Sequence, residues 1–169
     1  MTPFKPQFAT ASARAKVDQL MQPALIRVID NIRKQLDLTD WQGKYEETLI
    51  WPDGTTSEQQ QEYAALQKLL HGVPPKEHDR VATLISRLPQ PVPLYTLRLT
   101  KANLPDQTVD IWAMCYRVCA LDAAALEARA DSLIEADSSL FDDTGEVDWQ
   151  RLDDKTKALI EHIFQTLPT

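Results

Sequence analysis

Two cysteines, three histidines and twenty-five carboxylates are the residues of this 169-residue chain from which a reactive centre would have to be built. Cys115 and Cys119, in Cys-Tyr-Arg-Val-Cys, are four apart, a spacing that puts both thiols on one face of a helix and equally on one face of a strand. Redox or metal chemistry would call for a Cys-x-x-Cys spacing or for a third and fourth ligand nearby. His71, His78 and His162 do not accompany the cysteines in sequence. Core packing is therefore the expectation for both thiols, since free cysteine is among the most buried residue types.

His71 and His78 flank the break Gly72-Val-Pro-Pro75, His71 in the last turn of one expected helix and His78 in the first turn of the next. A metal across the break is conceivable on paper, but capping and solvation are the plainer expectation. The acidic stretch from Asp137 to Asp148 invites a calcium reading. An EF-hand loop with Gly145 at its sixth position would begin at Leu140 and end at Arg151, so both terminal ligands fail. Asp143-Thr-Gly reads instead as a turn, and Asp148 as a helix N-cap. Neither a metal nor a cofactor is expected.

Four glycines, at 43, 54, 72 and 145, are each isolated. Loops that cradle phosphate need clustered glycine so that backbone amides can approach the anion, and neither a Walker loop nor a dinucleotide fingerprint can be assembled here. No serine sits in a nucleophile elbow. An enzyme built on this chain would have to gather dispersed groups such as Glu46, Glu47, Asp110 or a histidine as acid and base. Recognition has more material. Tryptophan is enriched at binding hot spots because a large apolar body carries a polar handle. Trp41 and Trp51 bracket an expected strand beside turn residues, and Trp149 adjoins the acidic loop. These three, with Asp142 and Asp143, are the residues nominated for partner binding.

The net charge is −7, and residues 119–169 hold 12 acidic against 4 basic side chains. Phosphate backbones call for a basic surface, so nucleic acid is an unfavoured partner. No apolar run reaches the ~20 residues of a membrane span. The absence of a secretory-type apolar leader and of a disulfide framework points to a cytoplasmic or similarly reducing compartment.

The elements that must position these residues follow from periodicity. Residues 1–11 hold Pro3 and Pro6 without a pattern and are expected as a flexible arm, with 12–169 as one globular domain. Val17, Leu20, Met21, Leu25, Val28, Ile29, Ile32 and Leu36 recur at helical spacing, with Pro23 expected to kink the segment or divide it in two. A strand is expected over 45–51, helices over 57–71 and 76–88, and an antiparallel hairpin of 94–101 with 108–118. A helix over 120–136 and a last one from about 148 to 167 complete the order. The fold class is α+β, four or five helices on a small antiparallel sheet. An all-α bundle is the alternative if 108–136 forms one helix.

The leading functional expectation is a non-catalytic protein–protein interaction module, such as an adaptor, assembly factor or regulatory subunit, acting on another protein. Two alternatives stand beside it: a small enzyme with a dispersed site, and a homo-oligomeric scaffold in which the amphipathic 12–38 segment pairs with its own copy to give a homodimer.

Overall fold

The computed structural model describes residues 4–129 and 131–169. Met1–Pro3, in the expected arm, and Ala130, in the expected 120–136 helix, lie outside the described residues. Among the described residues the fold is α+β: six α-helices with a three-stranded antiparallel sheet and a short parallel strand pair. The chain divides into two compact units, Thr48–Leu94 and Phe4–Glu47 with Tyr95–Thr169.

The larger unit is organised by α1 (Ala11–Asp37). Thr10 starts it, its hydroxyl oxygen accepting from the Ala13 amide at 2.9 Å. Ala13, Val17, Leu20, Ala24, Val28 and Ile32 form one buried stripe. The helix runs through Pro23 as one element, not two. Proline there forfeits one backbone hydrogen bond and crowds the preceding turn. Leu20 and Ala24, fully buried on either side, fix the packing across that defect.

α1 packs against α4 (Ile111–Cys119) and α6 (Trp149–Gln165). The contact with α6 has a polar edge. The Asn31 amide donates to the Arg27 carbonyl at 2.8 Å and to Asp153 Oδ1 at 3.0 Å, and Arg27 lies 3.4 Å from the same carboxylate.

The sheet runs in the order β2 (Gln42–Ile50), β3 (Val92–Thr100), β4 (Gln107–Asp110). Leu97 lies opposite Val109 and Leu99 opposite Gln107 in the β3–β4 hairpin. β4 stops at Asp110, far short of the expected 118. The Asp110 carboxylate accepts from the Ala113 amide at 3.1 Å and caps α4. Burial then follows Ile111, Met114, Cys115, Val118 and Cys119, a helical period, although Val109, Ile111, Ala113 and Cys115 also fit an alternating one.

The expected 120–136 helix is likewise only α5 (Ala123–Ala128). Alanine favours helix but contributes little area to bury. Here Ala120 bridges Ala136, the Leu121 amide donates to the Glu135 carbonyl at 2.8 Å, and β5 (Leu133–Ile134) pairs in parallel with β1 (Gln7–Phe8). Residues 7–8, inside the segment expected as a loose arm, are thus a strand. Phe4 and Phe8 anchor it, 5.4 and 6.3 Å from the Tyr116 ring.

The smaller unit is a helical pair, α2 (Ser57–Gly72) against α3 (Pro75–Ser86). Thr56 and Gln59 form a reciprocal capping box at 3.1 and 3.0 Å. Pro75 opens α3 at a position where its missing N–H costs nothing. Val81 and Ile85 are buried, and Trp51 meets Tyr63 edge-on at 5.1 Å. Among the described residues no helix is long and apolar enough to cross a membrane.

Lys155 of α6 joins Ala120 and Asp137. Its ammonium donates to the Ala120 carbonyl at 2.6 Å and to Asp137 Oδ2 at 2.8 Å. Burial alone would raise the Asp137 carboxyl, but Lys155 and the Ser139 hydroxyl pull it below the ordinary carboxylate value. A lowered folded-state pKa stabilises the fold above the unfolded value of about 3.9 and loses that contribution as pH falls through the folded one. Asp137→Asn should therefore cost about 1–3 kcal/mol at pH 7 in denaturant unfolding. The deficit should shrink below pH ~4; one that stayed constant down to pH ~2 would contradict this assignment.

Candidate functional site

Several of the residues with chemical potential take part in structural contacts. Cys115 and Cys119 are fully buried, and Cys119 Sγ lies 3.7 Å from Met21 Sδ. Burial pushes both thiols up to about 12. The nearby Asp110 charge adds to the effect at Cys115, as Cys115 does at Cys119. His78 Nε2 lies 3.1 Å from the Val73 carbonyl, next to the break it follows. Asp110 caps α4, and Glu46 pairs with Arg98 at 3.1 Å. Among the described residues no three His, Cys, Asp or Glu gather in an arrangement that could hold a metal ion.

The five nominated binding residues fare differently from one another. Trp41 is 4% exposed and belongs to the hydrophobic core, so it offers no docking surface. Its neighbours Asp40 and Gln42 are polar, but the indole turns inward as the sheet begins. Trp51 is half-buried against Tyr63. Trp149 is 49% exposed in the first turn of α6.

Asp142 is engaged within its own loop. Its Oδ1 accepts from the Thr144 amide at 2.9 Å, the Thr144 hydroxyl at 2.6 Å and the Glu146 amide at 3.1 Å. These bonds, the Thr144 hydroxyl first, lower its pKa. Gly145 at φ 83° and the Phe141–Val147 bridge close the loop as a tight hairpin. Asp143 is exposed.

The surface feature that stands out involves none of those five. It is an apolar cleft of about 490 Å³ in the larger unit, lined by Leu25 and Ile29 of α1, Tyr45, Glu46 and Glu47 of β2, Tyr95 of β3, and Ile111 and Trp112 of α4. Beside it, one end of β2 lies close against α1 and β3. At Gly43, strand and helix lie so close that a Cβ would sit 2.9 Å from Leu36 Cδ1 and 3.1 Å from Leu97 Cδ1. Tyr45 and Glu47 follow on the same strand face, while α1 runs back from Leu36 to Ile29 and Leu25. Among the described residues no side chain fills the wedge there.

Tyr45 is left 49% exposed, Tyr95 39% and Ile29 36%. Tyr95 and Trp112 meet edge-on at 6.4 Å and form one wall, with buried Ile111 beneath. Glu46 is held by Arg98, whereas Glu47 has no ion-pair partner among the described residues. Cleft volume and an apolar lining with few polar groups match what recognition sites require. The chemistry available is desolvation of apolar groups beside a carboxylate at the rim.

Sequence reasoning missed this cleft because its residues carry ordinary core signals. Leu25 and Ile29 belong to the same periodic stripe as the buried positions, and Tyr45 and Tyr95 read as strand formers. Gly43, two residues after Trp41 and just before the expected 45–51 strand, is the one available cue.

Two outcomes follow from these placements. Both thiols should resist iodoacetamide at pH 8 in the native protein and react only on unfolding. Modification of either at the rate of a free thiol would contradict their burial. Trp41→Ala should cost about 3–5 kcal/mol in denaturant unfolding, and Trp149→Ala under about 0.5–1 kcal/mol; equal costs would contradict the placement of the two indoles. Comparisons of the chain with family models, with curated proteins and with solved structures return no significant match.

Proposed function

We propose that the chain is a non-catalytic protein-interaction module whose docking site is the cleft between α1, β2, β3 and α4. The observation that carries this is an aromatic-walled apolar recess left open on a surface where Tyr45, Tyr95 and Ile29 remain exposed. Exposed apolar surface of this kind lowers free energy when a partner covers it. The ionisable groups of its lining support binding better than catalysis. Glu46 forms an ion pair with Arg98, burial raises the Tyr45 phenol, and among the described residues neither histidines nor cysteines line the recess.

The occupant favoured by the lining is a segment of another protein with one or two bulky apolar side chains and a Lys or Arg beside them. The apolar groups fill the wedge, and the cation meets Glu47 at the rim. Such a contact suits an adaptor or regulatory subunit.

Panning a random peptide display library against the full chain tests this. Enriched peptides should combine aromatic or aliphatic residues with a flanking Lys or Arg, and Ile29→Asp should weaken them about tenfold or more, the loss typical of a hot-spot position. Trp149→Ala should leave their affinity unchanged. Peptides that bind Ile29→Asp as tightly as the parent chain, or no enrichment over an uncoated surface, would overturn the reading.

A further inference from the structure

Among the described residues β2 ends the sheet and has a neighbour only on the β3 side. It runs for nine residues, whereas the opposite edge, β4, has four and passes directly into a helix. The outer edge of β2 therefore presents backbone N–H and C=O groups to any further strand.

Gly43, Tyr45 and Glu47 lie on the face that meets α1, as the close approach of Gly43 to Leu36 and Leu97 fixes. Lys44 and Glu46 lie on the other face, where Glu46 pairs with Arg98 across the sheet. Lys44 has no ion-pair partner among the described residues.

We propose that the chain forms a twofold-symmetric dimer by antiparallel pairing of β2 with β2 of a second copy, centred on Tyr45. In that register Lys44 stands opposite Glu46 of the second copy, and Glu46 opposite its Lys44. Directly opposed cross-strand residues of opposite charge attract, and those of like charge repel. An edge lysine ordinarily discourages strand addition. Here the symmetry operation supplies a carboxylate to meet it, so the edge accepts its own copy in this register and disfavours a strand that lacks the acidic partner.

Tyr45 of each copy falls beside the other on the α1 face, where it covers part of the aromatic surface left exposed at the cleft. The contact is isologous and closes at two copies, since each has a single β2 edge. The dimer does not rest on the peptide-docking reading, although both use Tyr45. It differs from pairing through the 12–38 segment, of which Val17, Leu20, Ala24 and Val28 are buried in the core.

Sedimentation equilibrium of the full chain at low salt, up to a concentration on the order of 1 mM, tests the proposal, since small interfaces are weak. The apparent mass of the parent chain should rise from 19.2 kDa towards twice that value. Lys44→Glu places carboxylates opposite one another at both pairs and should weaken dimerisation about tenfold or more, and Glu46→Lys should do the same with opposed ammonium groups. Mixing the two variants should restore association as a heterodimer, because each then supplies the charge that the other lacks. Circular dichroism matching the parent chain confirms that each variant is folded. A parent chain monomeric throughout, a Lys44→Glu variant that dimerises as tightly as the parent, or folded variants that fail to recombine would each overturn the proposal.

Discussion

The larger unit depends on one buried stripe of α1. Val17, Leu20, Ala24 and Val28 are fully excluded from water and meet α4 and α6, and each such side chain contributes on the order of 1–3 kcal/mol through burial. That packing keeps the helix continuous through Pro23, whose local preference is to interrupt it. It also sets the distance between α1 and the sheet. A glycine at position 43 permits a close approach to Leu36 and Leu97.

The cleft lies further along the same helix and strand. The two surfaces meet at Leu36, Gly43 and Leu97 and part by Ile29 and Tyr45, so the same helical stripe that closes the core at one end leaves an apolar wall at the other. The long edge strand β2 borders this wall. An exposed apolar recess is costly through unfavourable hydration, and an unpaired strand edge through unwanted pairing.

Element types were legible wherever a local rule and tertiary burial agreed. The stripe of α1, the Thr56 capping box and the Asp148 cap of α6 are local patterns that the packing reinforces. The sequence misled where two periods fit the same residues. Val109, Ile111, Ala113 and Cys115 satisfy alternation, yet the Asp110 carboxylate caps a helix and the period becomes 3.6. Residues 120–136 mislead for a different cause: alanine content signals helix, but pairing of Leu133–Ile134 with Gln7–Phe8 decides the outcome, and that contact spans most of the chain.

The candidate site was less legible than the fold. A tryptophan beside polar residues reads the same whether it turns inward, as Trp41 does, or outward, as Trp149 does. The cleft arises from the gap between elements distant in sequence, which no local pattern encodes.

The most direct test of the central claim is a two-dimensional NMR titration of the full chain with an apolar fluorophore such as anilinonaphthalene sulfonate. If the wedge between α1 and the sheet is the recognition surface, shifts should concentrate on the Trp112 indole and on the amides of Leu25, Ile29, Tyr45 and Tyr95. Shifts concentrated instead on the exposed Leu69 and Leu84 of the smaller unit, with the Trp112 indole unmoved, would contradict it.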